Sequence, residues 1–275
     1  MSVFVNEKGE LVKVDGPMGM EMIPEDIEKP MGPPPTTPID LASVSSIAAD
    51  SPIEDPNELA ELKIVLSGNH LPQIPSDEHQ TSTKTDGDWM IDIQPPRIDA
   101  TPGATIAEAA AMQPNWTKPS LDIPSDQASF KELAQNIAKG KPRVRDAALS
   151  IRRYVHKIMH PNAGIGVVRD ANDVWNTKEG VCRDYAILTA TLLRASGIPA
   201  RLSSGLECFE GRFYYHAWAE AWDGKRWIGI DSTVNEDQIS AGHLKLASGQ
   251  VEDAFVFPVL EKAKIKVLAQ RRSGN

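Results

Sequence analysis

The chain has 275 residues, 41% of them hydrophobic, which suffices for one large domain or two modest ones with a sizeable core. Its net charge of −9, without a dense Lys/Arg block, argues against nucleic acid or an anionic membrane as partner. No apolar run approaches the ~18 residues of a bilayer span, and the two cysteines offer neither a disulfide framework nor zinc-ligand spacing.

In chain order, "VFVNEKGELVKV" alternates apolar positions around Asn6–Gly9, so residues 3–23 read as a β-hairpin. Residues 30–57 are rich in Pro, Ser and Asp and read as a loop or extended connector. Leu62–Val65 and Trp89–Ile93 read as strands, with Asp86-Gly87 turning the chain before the second. Together these make residues 1–95 a small β-rich region. Residues 96–126, rich in Pro and Ala, read as a linker.

At Ser129 the pattern changes. "SFKE" matches a capping box with Ser129 as cap and Glu132 reaching back, opening a helix that ends near Gly140. Pro142 suits the first turn of the next helix, whose Val144, Ala147, Ala148, Ile151, Val155 and Ile158 share one face. A third helix opens at Cys182 and carries Ala186, Thr189, Leu192 and Leu193 on one side, stopping at Gly197. From Ala200 onward strands follow, with hairpin turns at Glu210-Gly211 and Asp223-Gly224. Residues 261–275 read as a C-terminal tail. The fold class is α+β, helices packed on an antiparallel sheet.

A two-residue loop at Asp223-Gly224 fixes a register in which Trp222 faces Lys225, Glu220 faces Trp227 and His216 faces Asp231. Asp231 then accepts from one imidazole nitrogen and leaves the other free. A two-residue loop at Glu210-Gly211 sets Cys208 opposite Phe213, on the sheet face away from His216, as a buried structural thiol. Cys182 differs because it opens a helix. A thiolate there gains about 0.3–1 kcal/mol from the helix end, whereas an imidazolium at about 4 Å adds about 4 kcal/mol at an effective dielectric near 20. The histidine therefore decides whether Cys182 reacts. Each residue also has a bland reading: a packed thiol, a satisfied core histidine, and an aspartate that caps the turn at Ser232-Thr233. Their conjunction as nucleophile, base and orienter is what points to covalent catalysis.

"EGVCRDYAILTATLLRASGIPARLSSG" followed by "YYHAWAEAWDGKRWIGIDST" resembles the core of the transglutaminase-like superfamily. The resemblance rests on Gly180-Val181-Cys182, on Arg194 through Ile198-Pro199-Ala200-Arg201, on His216-Ala217-Trp218, and on Trp227 through Asp231-Ser232-Thr233, in that order. It implies a papain-like α+β core with Cys182 as nucleophile, His216 as base and later acid, and Asp231 as orienter. The Cys182 backbone N–H is the candidate oxyanion donor, and Trp175 is either a wall of the substrate site or a core residue. Asp184 and Glu220 are candidates for supporting the triad or for ordinary salt bridges.

No cofactor and no metal are expected, nor a calcium loop like that of animal transglutaminases. The expected partner is a protein or peptide substrate. The thiol chemistry implied is amide or peptide hydrolysis, acyl transfer from glutamine to an amine, or, with the triad idle, a protein-interaction module. The opening "MSVFVNEKGELVKVDG" lacks a signal peptide's basic head and apolar stretch. A cytoplasmic location follows if Met1 is the natural start, and an exported one if the sequence is a piece of a longer bacterial protein.

Overall fold

A computed structural model describes residues 2–6, 8, 11–15, 21–22, 46–69, 71–98, 103–165, 168–255 and 263–274. The N-terminal hairpin is present as β1 (Ser2–Val5) against β2 (Leu11–Asp15), extended by β3 (Glu21–Met22). Most of the connector expected over 30–57 lies outside the described residues; its end holds β4 (Ile47–Ala48).

Two antiparallel sheets organise the rest. One comprises β5 (Leu59–Ser67), β6 (Gln80–Thr85) and β7 (Asp88–Ile93), closed by β14 (Lys264–Arg272) in the order β14-β5-β7-β6. The β6–β7 turn is the expected Asp86-Gly87, both residues at positive φ as a type I′ turn requires. The segment 261–275, read as a tail, therefore contains a sheet strand. Its charges hid the pattern: in "KIKVLAQRR" Ile265 is buried while the basic residues line a solvent-facing edge.

The other sheet runs β12 (Trp227–Ile230), β11 (Arg212–Trp222), β10 (Ala200–Phe209), β13 (His243–Gly249), with β4 also paired to β11. Six helices accompany it: α1 (Ile106–Met112), α2 (Ala128–Ala138), α3 (Val144–Ile158), α4 (Ala171–Thr177), α5 (Cys182–Ala195) and α6 (Val251–Ala254). A short parallel pair, β8 (His160–Pro161) with β9 (Glu179–Gly180), leads into α5.

The stretch 96–126 is not an unstructured linker. Thr105 and Glu108 form a reciprocal capping box for α1, and Ala109 and Ile123 are fully buried in the helical core. The expected cap at Ser129 is not used. A turn from Pro124 to Gln127 feeds α2 directly, and the helix begins at Ala128 without a side-chain cap. Pro142 stands one residue outside α3's N-cap, Arg143, and its carbonyl accepts from the Ile106 N–H at 2.9 Å.

Burial divides into two clusters. Ile151, Val155, Leu188 and Leu192 of the helices pack with Ala217, Ala219, Ala221, Ile228 and Ile230 of β11 and β12, where small side chains admit α5 closely. Leu206, Cys208, Phe213 and Leu244 pack instead with Leu62, Ile64, Leu66 and Ile91 of the first sheet, so the two sheets share a core.

Candidate active site

Cys182 is the first residue of α5, and the helix start is built around a buried carboxylate. Asp184 accepts from the Val181 N–H at 2.9 Å and from Arg169 Nε at 3.3 Å, with no exposure to solvent. Gly180 makes this possible, because a Cβ there would meet the Asp184 Cβ at 2.4 Å. Asp184 thus holds the turn that presents Cys182, which remains half-exposed.

His216 lies mid-way along β11 opposite Gly205, and Trp218 stacks near its ring at 6.2 Å and 20°. Its Nε2–H donates to Asp231 Oδ2 at 2.7 Å, and Nδ1 lies 3.3 Å from Glu207 Oε2. The Cys182 side chain lies close enough to the same imidazole to help raise its pKa. Burial pulls the His216 pKa down, but the charges of Asp231 and Glu207, the hydrogen bond to Asp231 and the nearby Cys182 side chain carry it well above the usual histidine value.

Asp231 follows the last residue of β12 and uses its two oxygens differently. Oδ1 accepts from the Thr233 N–H at 2.8 Å and the Thr233 hydroxyl at 2.7 Å; Oδ2 accepts from His216 and, at 3.2 Å, from His243 Nε2. The same aspartate thus caps the turn at Thr233 and hydrogen-bonds the His216 ring. Burial alone would raise its pKa; the His216 charge and the hydrogen bonds from both histidines hold it well below the usual carboxylate range. The loop after it is tied to the helices. Buried Arg152 of α3 donates to the carbonyls of Val234 and Asn235, and Thr189 of α5 hydrogen-bonds the Ser232 hydroxyl at 2.7 Å.

The register carrying His216 and Asp231 differs from the expected one. Trp222 pairs with Trp227 and Glu220 with Gly229, so Gly224-Lys225 is the two-residue loop rather than Asp223-Gly224. The Asp223 carbonyl is taken by the Ala104 N–H at 2.7 Å, and the Asp223 carboxylate accepts from Lys225 and Arg226 N–H in its stead. The shift is two residues, so parity survives and the side chains still meet, although Asp231 lies beyond the last paired residue. The Glu210-Gly211 turn is as expected, with both residues at positive φ and Cys208 opposite Phe213. Burial pushes the Cys208 thiol up to about 11.

A family model described as the transglutaminase-like superfamily matches residues 131–232. Residues 131–232 form a transglutaminase-like core. A protein-glutamine gamma-glutamyltransferase of Pseudomonas aeruginosa is 28% identical over 201 residues, 63% of this chain but only 29% of that protein. An uncharacterised protein of Mycobacterium leprae is 33% identical over 125 residues, 40% of this chain and 43% of that one. Among solved structures, a candidate cysteine protease from Cytophaga hutchinsonii superposes with a TM-score of 0.54 at 20% identity, covering 79% of this chain and 86% of that one. That likeness gives the fold.

Two residues around the site of this transglutaminase-like core were missed by sequence reasoning. Glu207 flanks His216, and His243 shares Asp231 with it, its Nε2 lying 3.7 Å from Glu207 Oε1. The Glu210-Gly211 turn carried the signal for Glu207: it pairs Glu207 with Tyr214, on the His216 face. Glu207, His216, Asp231 and His243 each offer a ligand atom, all within 4.8 Å of one another, and are the residues that could hold a metal ion.

Glu220 belongs to a separate buried ion cluster. It meets Lys245 Nζ at 2.7 Å and Arg201 Nε at 2.6 Å, and Lys245 also reaches Asp77 at 2.5 Å. Trp175 is half-buried on α4, edge-on to Phe130 at 6.4 Å with Lys178 Nζ 4.7 Å from its ring centre. No described helix is long and apolar enough to cross a membrane.

Proposed function

We propose that the chain is a thiol-dependent amide or peptide hydrolase working through Cys182, His216 and Asp231, with its catalytic core at about residues 127–260. The observation that carries the reading is one buried imidazole gripped at Nε2 by Asp231, with a cysteine that opens a helix beside it. The Cys182 sulfur attacks the amide carbonyl, the Cys182 main-chain N–H faces the oxyanion, and the His216 imidazolium protonates the departing amine. His216, now neutral, takes a proton from water, which attacks the thioester and releases acid and thiol. Asp231 holds the ring and stabilises its charge throughout. The contacts on Trp175 favour a packing role over a substrate wall.

A second reading is acyl transfer, in which an amine clears the same thioester; it is favoured by the name of the Pseudomonas aeruginosa relative, a protein-glutamine gamma-glutamyltransferase. A non-catalytic module on this fold has less support, because all three side chains are kept side by side. The test is labelling with a thiol-directed activity probe, then incubation with glutamine peptides with and without an amine acceptor. Ammonia or cleaved peptide without amine incorporation supports the hydrolase, and incorporation supports the transferase. Absence of Cys182 labelling overturns both.

A further inference from the structure

His216 and the three groups around it form a larger donor set than a triad needs. Asp231 Oδ2 lies 2.7 Å from His216 Nε2 and 3.2 Å from His243 Nε2, and His243 Nε2 lies 3.7 Å from Glu207 Oε1. Four ligands bonded at about 2.0–2.2 Å around a tetrahedral ion stand roughly 3.3–3.6 Å apart, so the four atoms, which all lie within 4.8 Å of one another, have to close in by about 1 Å at most. The set is two imidazoles and two carboxylates, suited to zinc and its neighbours rather than to calcium or magnesium, which require six or more oxygens or retained waters.

Charge points the same way. Two carboxylates and two neutral imidazoles neutralise a divalent cation, which suits a buried site where net charge is costly. His243 is held only on the edge facing the cluster, since its Nδ1 is buried with no hydrogen-bond partner among the described residues. An ion also has a way in. The side chain of Glu207 is 20% exposed, whereas those of His216, Asp231 and His243 are 8% or less.

We infer that Glu207, His216, Asp231 and His243 bind a zinc-class divalent ion, and that the bound ion switches the thiol off by occupying the imidazole that serves it. The site is distinct from thiol capture: none of the four ligands is Cys182. The inhibitory consequence rests on the function proposed above; the binding does not.

The test is therefore done first in Cys182→Ala protein, where no thiolate can hold the metal. Co²⁺ should bind one to one and give the visible absorption of a tetrahedral site, Zn²⁺ should displace it, and Ca²⁺ and Mg²⁺ should not. Glu207→Gln and His243→Ala in that background should each weaken Co²⁺ binding by well over the ~10–100-fold that loss of an outer-shell partner costs, with near-ultraviolet circular dichroism retained. If His243→Ala fails to fold, the isosteric Glu207→Gln decides alone. Binding that disappears with Cys182, or full affinity in Glu207→Gln, overturns the site. In the unsubstituted protein Zn²⁺ should suppress alkylation of Cys182, and a chelator should restore it. A metal-free protein whose Cys182 resists alkylation would count against the proposed chemistry while leaving the cobalt result standing.

Discussion

At the scale of single residues, the two thiols should behave as different chemical species. Cys208 is 1% exposed with its thiol pushed up to about 11, so it stays protonated and enclosed. Iodoacetamide at mildly acidic pH is expected to label Cys182 and spare Cys208; preferential labelling of Cys208, read by peptide mass mapping, would reverse the assignment. Asp231→Asn removes the charge that stabilises the imidazolium and can select the wrong tautomer. In a serine triad that change costs about 10⁴ in rate. In the chemistry proposed for Cys182 less charge has to be created during the reaction than in a serine triad, so a loss of roughly 10–10³ in kcat/KM is expected, or about 1.4–4 kcal/mol of barrier, and Cys182→Ala should abolish acyl-enzyme formation outright. An Asp231→Asn protein with full activity would reduce Asp231 to its contacts with Thr233. The positions of these three residues were legible because helix start, strand parity and turn chemistry are local. His243 was not, because its place beside Glu207 depends on β13 pairing with β10, and no tight turn links those strands.

At the scale of elements, two glycines control how the site is presented. Gly180→Ala would drive a Cβ into Asp184, whose carboxylate caps the N-terminus of α5. A loss of about 1–3 kcal/mol is expected from the overpacking, together with slower alkylation of Cys182, measured by chemical denaturation and by labelling rate. Gly205 faces a harder obstacle, since a Cβ there would stand 1.9 Å from the Leu244 carbonyl oxygen. Backbone cannot rotate away as a side chain can. Gly205→Ala should therefore spread β10 from β13, separate Glu207 from His243, and lower activity more than Gly180→Ala does. Element types were readable wherever periodicity was strong, as along α3. They failed where composition misled: alanine and proline around α1 resembled a linker, and the basic residues of β14 resembled a tail. The hairpin between β11 and β12 failed more subtly. The Asp223 carboxylate accepts from the Lys225 and Arg226 N–H groups while its carbonyl is held by Ala104, so side-chain and tertiary contacts, not the Asp-Gly pair, accompany a loop one residue later.

At the scale of the whole molecule, acid should weaken the junction between the two sheets. Glu220 is buried, which by itself raises its pKa, but the charges of Lys245 and Arg201 lower it to about 2. Burial and the Lys245 charge lower His79 to about 4. Both shifts act in one direction. Below pH 6.5 the unfolded chain protonates His79 before the folded one does, and below pH 4.5 it protonates Glu220 first. The unfolded state then binds more protons, so stability falls with pH, from about 6.5 to 4 for His79 and from 4.5 to about 2 for Glu220. Urea titrations across that range should show the decline, and Lys245→Met, which strands buried carboxylates, should cost about 3–5 kcal/mol at neutral pH.

The pairing of β14 with β5 also sets a timetable. Lys264 meets Ser67, so the strand that completes the first sheet is made some 200 residues after the strand it joins. At about 5–20 residues per second of synthesis, β5 waits roughly 10–40 seconds with its ladder groups on that side unpaired. A bare strand edge is a template for intermolecular pairing. The nascent chain is therefore most prone to aggregation while the helices and the second sheet are already being made, and a ribosome stalled before residue 264 would hold it in that state.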